Sequence, residues 1–460
     1  MKHSSILRTA AVLLSAFVTA AVFPSPCAYA ESVPPGAVSV INTDMGTTFY
    51  YDTPASGGMT AMWNDAVSAS AATVKLFTDW TSVNGTQLVT EGKGAAFNGV
   101  ICVPSGHEVT IDLNGHSIDR ALSASVENGE VIYVESGATL KLTDTTAASG
   151  GAGRITGGNS TNSAGGIQVA AGGKLIIWGG SISGNHTDAS GGGIVLDGEG
   201  ASLYMTGGKI EKNTADGSGG GIAMASASVE VISGNISENA AGENGGGIFQ
   251  QGGTVSFQAG SVSSNSAVSG GGICTLEDAS LSLRGSATIQ NNVAGTAEQQ
   301  GRGGGIFAQG SKPVIFADSP SVTGNRQSDG TISNLTFFVS SQPFVGPRVE
   351  DQGVTGTAVV GVNFVGGEER EMGFAPSWNT NIFKADGAFQ LIEADQVYYL
   401  KRPASPEDYM PFVWIGMGAI VVILIVLITT ILVAVKKKKN RRKKRKKRSS
   451  QGQRPVRKQG

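Results

Sequence analysis

Three acidic side chains stand at comparable places in neighbouring segments of the chain. Asp188 lies six residues before Ile194, Asp216 six before Ile222 and Glu243 five before Ile248. Glycoside hydrolysis needs two carboxyl groups roughly 5–9.5 Å apart, one as acid and one as nucleophile or base. The same oxygens suit a hard cation such as Ca²⁺. Asp188, Asp216 and Glu243 are therefore the candidate catalytic or cation-binding residues; no cofactor is expected, Ca²⁺ being the one that this set would suit. Against chemistry stand three facts: the next segment, 266–269, has no acid, no Lys or Arg falls within the three acidic segments, and a solvated acidic edge has the same composition. His107, His116 and His186 are scattered singly and offer no metal-ligand spacing.

What must position these residues is a repeat. A Gly run and an apolar residue open each unit, at Ile167, Ile194, Ile222, Ile248, Ile273 and Ile306, in steps of 27, 28, 26, 25 and 33 residues. Each unit closes on a β-branched residue with Asn three places on: Ile182/Asn185, Ile210/Asn213, Ile236/Asn239, Val262/Asn265, Ile289/Asn292 and Val322/Asn325. Repeats of this length indicate a solenoid. Between the markers run short segments that alternate with period 2, such as Ile194–Leu196 and Leu203–Met205, and no unit holds the 3.6-period pattern of a helix. Three strands per unit, stacked in parallel at ~4.8 Å per coil, make a parallel β-helix. Gly at the opening corner supplies positive φ and close backbone approach. Asn at the other corner is predicted to tolerate left-handed geometry and to stack its amides into a ladder. The stretch from Ile to Asn holds at 17–19 residues, whereas Asn to Ile varies from eight to fourteen. The loop edge after each Asn is thus the place for function.

The ends read differently. Residues 1–30 have a positive start, an apolar run and Ala28-Tyr29-Ala30, which predicts a secretory signal cleaved after Ala30. Residues 31–73 form a lead-in, with apolar residues at helical spacing around Met59, Met62 and Trp63. A helix there is expected to cap the open end of the solenoid, whose core and backbone edges need cover. The β-helix is placed at 74–330, its regular part at 165–325. Residues 331–402 lose the Gly runs and are expected to be final irregular coils, with a small β domain as the other reading. A linker at 403–411 leads to 412–435, whose 24 uncharged residues reach ~36 Å as a helix, enough for a bilayer. The basic tail 436–460 holds 15 Lys/Arg and no acid. This sets it on the cytoplasmic side, against anionic lipid headgroups.

Setting aside the tail and the signal leaves 17 basic residues against 36 acidic ones, about −19, although the whole chain is only −2. An acidic exterior argues against nucleic acid as a ligand. Cys102 and Cys274 lie about six coils apart, or ~30 Å. A disulfide requires Cα atoms within ~7 Å, so two unpaired thiols are predicted.

The run Val109-Thr-Ile-Asp-Leu-Asn-Gly-His116, the later Leu140-Lys-Leu-Thr-Asp144 and the Gly-Gly-Gly-Ile…Asn coils resemble right-handed, pectate-lyase-like β-helix surface proteins of Gram-positive bacteria, often called adhesin-like. The Gly-Gly-x-Ile and turn-Asn units are also similar to repeats of polymorphic outer membrane proteins. The resemblance, over roughly residues 60–400, implies an all-β, right-handed parallel β-helix; together with the N-terminal helical cap and the single C-terminal transmembrane helix read above, it is expected to stand outside the cell. The expected role is adhesion to a glycan or to a host or matrix protein, and the residues of the acidic loops are not expected to catalyse. A polysaccharide lyase or glycoside hydrolase acting at the acidic loop edge is the alternative, and a structural spacer is a third.

Overall fold

The computed structural model describes residues 38–401 except 43–46, 52–55, 83–87, 90–91, 93, 97–98, 147–152, 277, 310–311, 313, 339–348, 355–358, 366–369, 373–382, 387–389 and 395–396, together with 431–433, 435–439 and 441. The expected signal, the linker and nearly all of the expected span and tail lie outside them. Among the described residues, no helix is long and apolar enough to cross a membrane.

The chain is an all-β solenoid of parallel strands. Three long ladders run along it, one for each strand of the repeat. The first stacks Ile132–Val134, Ile167–Ala170, Ile194–Asp197, Ile222–Ala225, Ile248–Gln250, Ile273–Thr275, Ile306–Ala308 and Leu335–Phe338. The second stacks Glu108–Asp112, Thr139–Thr143, Lys174–Ile177, Ser202–Met205, Ala227–Val231, Gly253–Phe257, Ala279–Leu283 and Val314–Asp318. The third stacks Arg154–Thr156, Ser181–Ser183, Lys209–Glu211, Asn235–Ser237, Ser261–Ser263, Thr288–Gln290 and Ser321–Thr323. Register is strict because the side-chain period is two: a slip of one residue would turn the apolar set outward. Ile167 lies over Ile194, Leu175 over Leu203 and Ile182 over Ile210, and all are fully or almost fully buried. Burying such a side chain is worth about 1.5–3 kcal/mol, repeated for each ladder of each coil.

A fourth strand, absent from the sequence reading, follows each Asn. These two-residue strands run from Asn159–Ser160 and His186–Thr187 through Thr214–Ala215 to Arg326–Gln327, in a seven-stranded ladder. They fix the start of the loop edge.

At the N-terminal end the sheet turns antiparallel. Val38–Asn42 pairs with Thr47–Tyr51 and with Ala71–Lys75, which stacks in parallel on Glu108–Asp112. The helix Ser56–Ala66 packs here, with Met62, Trp63 and Ala66 fully buried. The Trp63 indole donates to the Cys102 carbonyl at 2.9 Å, and its ring lies 5.9 Å from that of Trp80. At the other end, Val349–Val354, Val359–Val365 and Phe383–Ala385 continue the parallel ladders. Arg370–Met372, Gln390–Ala394 and Val397–Lys401 form a separate antiparallel sheet.

Candidate functional site

The corner that carries the loop edge is built from asparagine. Asn185 Oδ1 accepts the Gly158 N–H, and from Asn213 onward each Asn Oδ1 accepts both the backbone N–H and the side-chain amide of the preceding Asn. Asn213 Oδ1 takes them from Asn185 at 3.2 and 3.0 Å, and Asn239 Oδ1 from Asn213 at 3.0 and 3.0 Å. Each amide also donates to a carbonyl of the coil before, as Asn213 does to Ile182 at 2.9 Å. The chain of bonds passes through Asn265, Asn292 and Asn325. It then leaves the repeat, through Asn334 to Asp386, whose carboxylate accepts from the Asn334 N–H and amide at 2.6 and 2.9 Å. Burial raises the pKa of Asp386, opposed by the two bonds from Asn334. The asparagines do not themselves adopt left-handed backbone. The residue before each one does: Gly184, Lys212, Glu238, Ser264, Asn291 and Gly324, with φ between 57° and 70°. The type varies there, so no sequence pattern marks the position.

Counting from this corner decides which acids meet. Asp188 and Asp216 both lie three residues after their Asn, and parallel pairing of His186 with Thr214 and Thr187 with Ala215 brings them into adjacent coils in register. Glu243 lies four residues after Asn239, and Gly242 occupies the equivalent place. Glu243 turns elsewhere, its Oε2 accepting from the Ser218 hydroxyl at 3.2 Å. The expected trio is therefore a pair. His186 replaces the third member, because two residues along a strand return a side chain to the same face. A ring nitrogen of His186 and one oxygen each of Asp188 and Asp216 lie within 4.8 Å of one another. The reading of His186 as isolated is thereby corrected: spacing along the chain concealed a neighbour one coil away. His186 Nε2 is 3.2 Å from Asp188 Oδ1, and Nδ1 is 2.8 Å from the Thr214 hydroxyl. Ser125 donates to Asp188 Oδ1 at 2.7 Å.

A second feature lies on the outer face of the second ladder. Register puts Lys141, Ile176, Tyr204 and Glu230 in one outward column, with Trp178 two residues beyond Ile176. Tyr204 is 39% exposed and Trp178 37%, and no other aromatic among the described residues is as open. One strand across and two residues along separates their Cα atoms by ~8 Å. Lys141 Nζ sits 5.7 Å from the Trp178 ring centre and ion-pairs with Glu108. Gln258 donates to Glu230 at 3.2 Å. The result is an open aromatic surface rimmed by both signs of charge. Nothing in the spacing of Trp178 and Tyr204 singles them out; only the register does.

Two further polar groups are structural in setting. Arg120 and Glu130 are buried together, with Arg120 Nη1 donating to the carbonyls of Asn128 (2.7 Å) and Glu130, and with the Glu130 carboxylate accepting from Ser163. Burial lowers Arg120 to about 10, opposed by Glu130, and burial raises Glu130. Cys102 lies six pairings from Cys274 in one column, through Tyr133, Gln168, Val195, Ala223 and Phe249. Both thiols are free and buried, and both are pushed up to about 12, by burial and, for Cys102, by Glu135 as well. A shallow groove of about 650 Å³ beside Cys102 is lined by Ser105, Tyr133 and Glu135, whose carboxylate is already engaged by Cys102 and the Ser105 N–H.

Compared with known proteins, the chain matches no family model, no curated protein sequence and no solved structure.

Proposed function

We propose that this chain is a membrane-anchored bacterial surface protein whose rigid solenoid binds a glycan through the outer face of the second ladder. The Trp178–Tyr204 pair carries this reading. The C–H faces of a pyranose stack on aromatic rings, and Trp and Tyr join a large apolar surface to a polar handle. Lys141, Glu108 and Glu230 around the pair offer donors and acceptors for sugar hydroxyls. A spacing of ~8 Å suits successive rings of an extended saccharide. The solenoid is right-handed in this reading, like the pectate-lyase-like surface proteins it resembles. The helix Ser56–Ala66 closes its N-terminal end. Secretion follows the signal ending at Ala30, the 412–435 span anchors the chain, and the basic tail meets cytoplasmic headgroups.

The test is retention of the full chain, purified in mild detergent, on a panel of immobilised polysaccharides and matrix proteins, with new reducing ends assayed in the same samples. We expect retention on a polysaccharide without new ends, weakened at least about tenfold, ~1.4 kcal/mol, by Trp178→Ala or Tyr204→Ala at unchanged melting temperature. Retention on a glycan that survives both substitutions would sink the proposed face. New ends that vanish in Asp188→Ala or Asp216→Ala would make the protein a glycoside hydrolase.

A further inference from the structure

We propose that His186, Asp188 and Asp216 form a binding site for one borderline divalent transition ion, of which Zn²⁺ is the type. The reading is independent of the glycan face. Zn²⁺ takes His nitrogen and Asp oxygen at roughly 2.0–2.2 Å, and three protein ligands with one open position are a known arrangement. Ligand atoms around such an ion stand roughly 3–3.5 Å apart. The His186 Nε2 and Asp188 Oδ1 pair already does, at 3.2 Å. One Asp216 oxygen lies within 4.8 Å of a ring nitrogen of His186 and of an Asp188 oxygen, and the Asp216 side chain is exposed.

The surroundings favour ligation. A metal-bound imidazole usually engages its other nitrogen with a hydrogen-bonding partner, which fixes the ring and the tautomer. Thr214 stands against His186 Nδ1 at 2.8 Å, which leaves Nε2 towards the carboxylates. Ser125 holds Asp188 Oδ1 in the same way, at 2.7 Å. No Lys or Arg ion-pairs with Asp188 or Asp216 among the described residues, so two adjacent carboxylates have only the imidazole between them. The imidazole sets the metal class, because Ca²⁺ prefers six to eight oxygen ligands whereas nitrogen suits Zn²⁺, Ni²⁺ or Cu²⁺.

The arrangement also occurs once. The residues that follow His186 in its column are Thr214, Ala240, Ser266, Val293 and Arg326. Those at the Asp188 position are Asp216, then Gly242, Val268, Gly295 and Ser328. Only two adjacent coils supply ligands, and among the described residues no other group of His, Cys, Asp and Glu is so placed. A generic acidic edge would have scattered its charges over more coils.

The experiment titrates the metal-free full chain in detergent with Co²⁺, read by its visible absorption, and with Zn²⁺ in competition with a chromogenic chelator. We expect one Zn²⁺ per chain. His186→Ala should weaken it about 100-fold, and Asp216→Asn or Thr214→Val about 10–100-fold. Glu243→Gln, His107→Ala and His116→Ala should leave it unchanged. These side chains lie on the surface, and an unaltered far-UV spectrum will show that each variant folds. The proposal is overturned by the absence of one-to-one binding at millimolar Zn²⁺, by a His186→Ala chain that binds as the parent does, or by displacement of Zn²⁺ with millimolar Ca²⁺.

Discussion

Two positions three residues apart follow opposite rules. At Asn185, Asn213, Asn239, Asn265, Asn292 and Asn325, one residue type recurs in every coil and no more than 1% of it is exposed. Three residues on, the same coils carry Asp188, Asp216, Gly242, Val268, Gly295 and Ser328. The backbone is stacked at both places, so stacking alone does not impose identity. The difference lies in where the side chain ends. Inside, each amide must satisfy the coil before and the coil after, and only an amide has both the donors and the acceptor for that. Outside, water satisfies whatever is present. Constancy in this chain therefore reports structure, and departure from constancy is where a site can be built.

The largest expected effect tests the inner rule. Asn239→Ala removes the acceptor for the Asn213 N–H and amide, and the donor to the Ile210 carbonyl and to Asn265. A buried donor left unsatisfied costs about 1–3 kcal/mol, so a loss of roughly 3–5 kcal/mol is expected. Urea unfolding of parent and variant measures it. Asn235→Ala, four residues away and exposed, should stay within about 0.5 kcal/mol. Equal losses for the two would abolish the distinction between inner and outer positions.

Next comes the Gly run, which packs beside the Asn corner. A Cβ at Gly220 would stand 2.4 Å from the Ala240 carbonyl oxygen, which belongs to the next coil's backbone and cannot rotate away. Gly220→Ala should cost about 1–3 kcal/mol through overpacking. A melting temperature unchanged by this substitution would mean that the coils are less tightly stacked than their geometry implies.

How much of this was legible depends on how far each constraint reaches along the chain. The stacked isoleucines and the Asn corner recur at a nearly fixed interval, so the repeat exposes them without coordinates. The expected left-handed asparagine failed because positive φ belongs to the residue before it, where Lys212, Glu238 and Ser264 accept ~1–2 kcal/mol of strain. The end of the ladder was hidden for another reason: Asn334 follows Asn325 by nine residues, not by a coil, and Asp386 lies 52 residues further on. The site suffered from a choice of origin. Counting backward from Ile194, Ile222 and Ile248 made Asp188, Asp216 and Glu243 look equivalent. Counting forward from the Asn corner, where hydrogen bonds fix the register, excludes Glu243 and admits His186. Trp178 and Tyr204 needed the register itself, since their neighbourhood exists only across coils.

A smaller, pH-dependent effect is expected at the ladder's end. Asp386 has a raised pKa in the folded chain, so folding takes up a proton between the unfolded and the folded values. Its contribution to stability is present below the unfolded value and is lost as pH rises through the folded one. Asp386→Asn cannot ionise, and its Oδ1 can accept both bonds from Asn334 as the other rungs do. The variant should match the parent in acid and gain stability over it towards neutral pH. The gap opens between the unfolded and the folded values and stays level above them. Melting curves from about pH 4 to 8, a range that brackets the usual carboxylate values and their raised forms, measure it. A gap that narrows with rising pH would show that the carboxylate strengthens the ladder.

The smallest effect belongs to the edge. Asp216 lies three residues after Asn213, just beyond the short strand Thr214–Ala215, yet its side chain is exposed. Asp216→Asn keeps the shape, removes one of two adjacent carboxylates and leaves the amide ladder untouched. In metal-free buffer, unfolding should therefore shift by no more than about 0.5 kcal/mol, with any change towards greater stability because like charges no longer face each other. With Zn²⁺ present the sign should reverse: the parent gains stability by mass action as it binds the ion, and the variant gains less. A loss in metal-free buffer approaching that of Asn239→Ala would mean that the edge is part of the scaffold, and the contrast between the two positions would then be one of sequence only.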